Sequence, residues 1–268
     1  MVPTLKDILN LLDEIAPFSI AEEWDNPGLQ VGYPSQEITK ILIALDPTIS
    51  AIEESSDRKV QLLLTHHPLI YKSLSHINRA AYPGDVIFEA FKQGISIVAA
   101  HTNLDVAQGG INDILADLFG LQNLEVLQEK ESTASGTGLG RIGNLPEPVR
   151  LSAMIETVKK VLGTMSVMVV GHGDTEIGRV AVVGGSGGGM VPTASVKGAS
   201  LLITGDVGHH ETLEAETLGL ALIDAGHFYT ERAALRPFAD HFKEKLKERV
   251  WDVIVEVYED EKNPMRYE

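Results

Sequence analysis

The stretch Leu62-Leu63-Leu64-Thr65-His66-His67-Pro68 reads as an apolar strand that stops at two adjacent histidines before a proline closes the turn. A short, fully apolar run of this kind suits a strand buried on both faces, as in a parallel sheet. Adjacent residues leaving a strand point to opposite sides. The two imidazoles are therefore expected to reach different partners, each serving its own metal ion rather than chelating one together. Standing alone, the stretch would read as a turn carrying two solvated histidines, so the rest of the chain has to decide.

The same pattern recurs on both sides. Residues 41–45 form a comparable run that ends at Asp46-Pro47-Thr48, and residues 95–100 form another that ends at His101-Thr102-Asn103-Leu104-Asp105. Strand-like runs follow at 165–170, 179–183, 200–204 and 220–223. The last two lead into Gly205-Asp206-Val207-Gly208-His209-His210-Glu211 and Asp224-Ala225-Gly226-His227. Helical patterns separate these runs. Thr4 is placed to cap a helix carrying Leu5, Ile8, Leu9, Leu12 and Ile15, with Asp7 in the capping-box position. Residues 84–93 are stopped by Gly94, and Ile111, Ile114, Leu115, Leu118 and Phe119 form an amphipathic helix closed by Gly120. A final helix carries Leu235, Phe238, Phe242 and Leu246, with Pro237 near enough to its start to be tolerated. Residues 251–258 alternate like a strand at a sheet edge.

Strands alternating with helices imply an α/β protein with largely parallel sheets flanked by helices. Residues 132–143, rich in Gly, Ser and Thr, read as a loop or domain crossing. The expected division is a metal-site domain of 1–127 with 205–268, and a smaller α/β domain of 128–204.

Bulk properties narrow the function. The 268 residues are 44% hydrophobic and 22% charged, ordinary values for a globular protein with room for one or two cores. No cysteine is present, which removes disulfides, thiolate metal sites and a cysteine nucleophile. A bound metal would be held by imidazole, carboxylate or water, which suits zinc, manganese, iron, nickel or cobalt. The start of the chain lacks the basic-then-apolar pattern of a secretion signal, and no apolar run approaches the roughly 20 residues of a membrane span. A cytoplasmic location is the expectation. A net charge of -16 opposes general binding to nucleic acid, yet leaves room for a small phosphorylated substrate beside bound dications.

Six of the nine histidines fall just past predicted strand ends: His66, His67, His101, His209, His210 and His227. In open α/β sheets ligands bind at that edge. His101 and Asp105 are four apart, as are His227 and Glu231, which places each pair on one face of a helix that it opens. A carboxylate can bridge two ions, and Glu231 is the first candidate, with Asp105 the alternative. His101 reads as a ligand, a residue behind the ligands or a proton shuttle. His209 and His210 read as substrate contacts, acid–base groups or helix-capping residues, and His76, His172 and His241 as surface residues. The glycines at 184–189 form a tight strand–helix turn, with phosphate contact as the alternative; the lysine of a P-loop is missing. The segment Glu22-Glu23-Trp24-Asp25-Asn26-Pro27-Gly28-Leu29-Gln30-Val31-Gly32 reads as a polar loop with a packed tryptophan.

Taken together, Glu23-Trp24-Asp25-Asn26-Pro27-Gly28-Leu29, Thr65-His66-His67-Pro68, His101-Thr102-Asn103-Leu104-Asp105, Thr204-Gly205-Asp206 and Asp224-Ala225-Gly226-His227-Phe228-Tyr229-Thr230-Glu231 resemble the YbgI/Nif-three-like family, also known as GTP cyclohydrolase I type 2 homologs. The motifs span almost the whole chain. The resemblance implies a dinuclear metal centre with ligands at His66, His67, Asp105, His227 and Glu231, the glutamate bridging. It also implies a two-domain protein assembled as a toroidal homo-hexamer, here in the compact form without the inserted domain of some relatives. Two functions follow as expectations. One is a dinuclear metal-dependent hydrolase acting on a small molecule such as GTP or another nucleotide or cyclic amide, with His101, His209 or His210 moving protons. The other is a non-catalytic metal-handling or scaffold protein.

Overall fold

Strand β3 (Leu62–Thr65), which carries the paired histidines at its end, lies third of five in its sheet. In this computed structural model residues 1–130 and 136–266 are described. The chain divides into two compact units, Met1–Leu104 with Leu235–Glu268, and Asp105–Ala234. In chain order the strands before β3 are β1 (Gly28–Val31) and β2 (Lys40–Ala44), and β4 (Ser96–Ala99) follows it. Next come β5 (Gln122–Glu129), β6 (Gly138–Arg150), β7 (Met168–Val170) and β8 (Glu176–Ser186). The last are β9 (Leu201–Gly205), β10 (Ala221–Asp224) and β11 (Ile254–Val257).

The first unit holds the sheet β1-β4-β3-β2-β11. Its neighbours pair in parallel from β11 through β4, and only β1 at one edge runs antiparallel. All four residues of β3 are buried, as a strand covered on both faces requires. One face packs Leu42, Leu63 and Ile97 against Ile52, Val86, Ile87 and Ala90 of the helices Ile49–Asp57 and Gly84–Gln93. Ile43 and Leu64, which alternate to the other face, border a narrow gap with Leu235 and Phe238. Thr4 does cap the helix Leu5–Ile15, and its side chain and that of Asp7 form the reciprocal capping box. The edge strand predicted near the end of the chain is β11.

The second unit holds the sheet β5-β6-β8-β9-β10-β7, in which β8, β9 and β10 are parallel and the other pairings antiparallel. The fold is thus α/β with two mixed sheets; the expectation of largely parallel sheets suits the first and is corrected for the second. Its parallel centre is where the apolar runs at 179–183, 200–204 and 220–223 were; of the antiparallel additions, β5 and β6 lack such a run, while β7 falls in the one at 165–170. Of the loop expected at 132–143, residues 131–135 lie outside the described residues, and from Gly138 onward the chain is β6. That strand escaped the pattern because it carries three glycines and two prolines, and a register shift falls between Asn144 and Val149, around both prolines. Its partner β5 is mostly exposed. The observed units divide the chain elsewhere than the expected domains: β5 and β10 belong to the second sheet, and Asp105–Ala234 forms one unit. Finally, Pro237 is not near a helix start: His227–Glu248 is one continuous helix with the proline inside it.

Candidate metal centre

In the first unit the β-ladder continues one step past β3. His66 N donates to Ala44 O (3.1 Å) and His67 N to Leu45 O (2.9 Å). Each imidazole is then held through Nδ1. His66 Nδ1 meets Ala100 O at 2.9 Å, just past β4, and His67 Nδ1 meets Asp46 Oδ1 at 2.8 Å, just past β2. His101 Nδ1 meets Asp25 Oδ1 at 2.8 Å. A carbonyl or carboxylate oxygen only accepts, so Nδ1 carries the proton in the neutral ring and Nε2 keeps the lone pair that a metal needs.

The three rings gather closely. His66 and His67 lie 5.2 Å apart between centroids, His66 and His101 5.2 Å, and His67 and His101 5.4 Å. One ligating atom from each lies within 4.8 Å of the others, so this group could hold a metal ion. The rings of His66 and His67 lie close together, while their Nδ1 atoms reach different partners, Ala100 O and Asp46 Oδ1. Strand alternation ends at Thr65, and beyond it each ring is turned by its Nδ1 partner on a neighbouring strand end. His101, whose role the sequence left open, joins the group as a third imidazole.

Two supporting carboxylates were not singled out from the sequence. Asp25 has its side chain sealed from solvent and accepts from Thr102 N (3.0 Å), Thr102 Oγ1 (2.5 Å) and Asn26 N (2.8 Å) besides His101. Burial pushes its carboxyl up, but the bonds from His101, Thr102 and Asn26 outweigh this and hold it at about 2. Asp46 is anchored in turn, because Glu261 accepts from Leu45 N (2.8 Å) and Asp46 N (2.7 Å). The sequence signals were a polar turn whose motif carries the family resemblance, for Asp25, and a strand end, for Asp46.

In the second unit His227 opens its helix with Nδ1 on Asp206 Oδ2 at 2.7 Å, and its Nε2 lies 3.1 Å from Glu231 Oε2 one turn later. The i, i+4 placement read from the sequence therefore brings imidazole and carboxylate together. Glu231 and Asp105 are buried, at 3% and 7% exposure. The glycine run explains part of this burial. Gly185, at φ +67°, lies so close to Glu231 that a Cβ there would collide with the carboxylate. Gly184 N donates to Asn112 Oδ1 (2.9 Å) and Gly185 N to Thr230 Oγ1 (3.0 Å), so these amides serve protein side chains rather than a phosphate. Asn112 also donates to Asp105 O at 3.0 Å. His209 and His210 are exposed in the first turn of the helix His209–Leu218, 5.7 Å apart, and join no cluster of ligating atoms among the described residues.

The donors present are imidazole nitrogen and carboxylate oxygen, with the second nitrogen of every imidazole in the two groups fixed by an oxygen. That combination fits a divalent transition metal. Residues 3–264 match the family described as Duf34/NIF3 (NGG1p interacting factor 3). The chain belongs to the Duf34/NIF3 family.

Among its NIF3 relatives is a Clostridium perfringens protein named GTP cyclohydrolase 1 type 2 homolog, 35% identical over 98% of this chain and 99% of its own length. A Lactococcus lactis protein of the same name is 36% identical over 95% of both chains. A crystal structure of a hypothetical protein from Staphylococcus aureus covers all of both chains with a TM-score of 0.94 at 29% identity. In the present NIF3 chain the motif surrounding Asp25 therefore supplies the support of His101, and Asp206 supplies that of His227. No helix among the described residues is long and apolar enough to cross a membrane.

Proposed function

We propose that this NIF3 family protein is a dinuclear metal-dependent hydrolase, with His66, His67, Asp105, His227 and Glu231 as ligands and Glu231 bridging. The observation that carries the reading is the orientation of four imidazoles: His66, His67, His101 and His227 each place Nδ1 on an oxygen, as metal-ligating histidines do. Bound dications would act as Lewis acids and bring a water's pKa down toward neutrality. The chain's own part is to orient and to move protons. Asp46 and Asp206 fix the rings of His67 and His227, so neither has to reorganise when an ion arrives. His101, fixed by Asp25, is the candidate to accept a proton from water and return it to a leaving nitrogen. His209 and His210, exposed at a helix N-terminus, are candidate contacts for an anionic group of the substrate.

The names of the curated relatives point the substrate toward GTP or a similar nucleotide, opened by hydrolysis of its ring. A cytoplasmic location and a homo-hexamer belong to the same proposal. The test compares wild type with Glu231→Gln and His67→Ala, matched for folding by circular dichroism, in metal content and in turnover of GTP, other nucleotides and cyclic amides. Two ions per chain are expected in wild type, with turnover at least about 100-fold lower in both variants. Equal turnover in all three proteins would sink the hydrolase. Metal uptake with no turnover across the panel would favour the metal-handling alternative.

A further inference from the structure

The tryptophan expected to be packed in its loop is not packed. Trp24 is 55% exposed and Tyr71 52% exposed, with ring centroids 5.8 Å apart at 60°. On its other side Trp24 lies 5.9 Å from His101, at 71°. Large aromatic side chains normally reach the surface singly; a pair set beside a histidine cluster is a different matter.

The pair is also held firmly, although it faces solvent. Next to Trp24, the sealed carboxylate of Asp25 ties the loop to His101 and Thr102. Asn26 Nδ2 donates to Ile70 O at 2.7 Å, and Ile70 N donates to Gln30 Oε1 at 3.0 Å. Gln30 Nε2 closes the circuit on Asn26 O at 2.8 Å. The loops bearing Trp24 and Tyr71 are thus laced to each other by side chains whose bonds do nothing for the sheet. A rigid aromatic surface gives stacking without the entropy cost of ordering it on binding.

We propose that Trp24 and Tyr71 form a stacking platform for the planar nitrogen heterocycle of the substrate and set its specificity. This rests on the hydrolase reading and names the part of the substrate that the site grips. A flat heterocycle fits better than a protein partner. Trp24 is flanked in the chain by Glu22, Glu23, Asp25 and Asn26, charged and polar groups of the kind that the core of a protein interface excludes. Aromatic faces, by contrast, take bases through stacking alone. A ring seated on the indole adjoins His101, the group proposed to move protons.

The sequence has two tryptophans, so Trp251→Phe leaves Trp24 as the sole indole reporter. That protein, as purified and after chelation, is titrated with guanosine, GTP, ribose 5-phosphate and inorganic triphosphate while indole emission is followed. A saturable change with guanosine and GTP, and none with the two compounds lacking a ring, is the expected result. By calorimetry on otherwise wild-type protein, Trp24→Ala should weaken guanosine binding about tenfold or more, and Trp24→Phe by only a few-fold. The platform is overturned if neither ring compound alters the emission, if triphosphate alone does as well as GTP, or if Trp24→Ala binds guanosine as wild type does. A parallel metal titration separates the two ideas. Ring binding without metal uptake leaves the platform and removes the hydrolase; metal uptake without ring binding does the reverse.

Discussion

Asp25 has a side chain with no solvent exposure and a carboxyl held at about 2, under an imidazole and beside an exposed indole. Its ordinary value is 3.8, so the folded state favours the charged form. A depressed carboxyl stabilises the fold fully above about pH 4 and loses that contribution as pH falls through about 2. The shift corresponds to about 2 kcal/mol. Urea unfolding of Asp25→Asn should therefore show a loss of about that size at neutral pH and a flatter acid limb between about pH 4 and 2. An unchanged acid limb would remove Asp25 from this role. Residue identity also explains Asp206, which takes φ +53° in order to hold His227, a region where aspartate is among the few tolerant side chains.

At the scale of elements, strand ends do most of the placing. β2, β3 and β4 deliver Asp46, the His66-His67 pair and His101 from three adjacent parallel strands, and the segment after β11 locks one of them. Tyr258 N donates to Ile43 O at 2.8 Å, extending the β11–β2 pairing, and Glu261 then caps the amides of Leu45 and Asp46. Glu261→Ala should cost about 1–2 kcal/mol in urea unfolding, since bonds to a charged acceptor are worth more than neutral ones but this side chain is only partly buried. It should also shift the ring nitrogen resonances of His67, whose Nδ1 partner is loosened, while leaving those of His66 in place. A His67 spectrum identical to wild type would show that the anchoring of Asp46 does not reach the imidazole. The elements also mark where sequence reading worked. The capping box at Thr4 and Asp7 and the apolar strands were legible, because caps and burial leave local signatures. The hairpin of β5 and β6 was not, because exposed and proline-broken strands carry neither alternation nor an apolar run.

For the whole molecule, the homo-hexamer proposed above needs surface that a second copy can cover. Phe88 and Phe91, three apart on the helix Gly84–Gln93, are 47% and 65% exposed, and the Arg79 guanidinium already lies over Phe88. Light scattering should give the mass of six chains for wild type, and Phe91→Asp should shift that population toward smaller species. A monomer in wild type would end the hexamer proposal.

The sequence by itself determined the family, the α/β class and the strand-end positions of His66, His67, His101 and His227. These rest on apolar runs, turns and short spacings, which are properties of neighbours in the chain. Only the tertiary structure decided that the rings of His66, His67 and His101 gather, that Asp25 and Asp46 lock two of them, that Gly185 makes room for Glu231, and that Trp24 faces solvent. The physical reason is separation along the chain. His101 and Asp25 are 76 residues apart, His66 and Ala100 34, and His67 and Asp46 21, so the direction of each imidazole is set by a partner that no local pattern reveals.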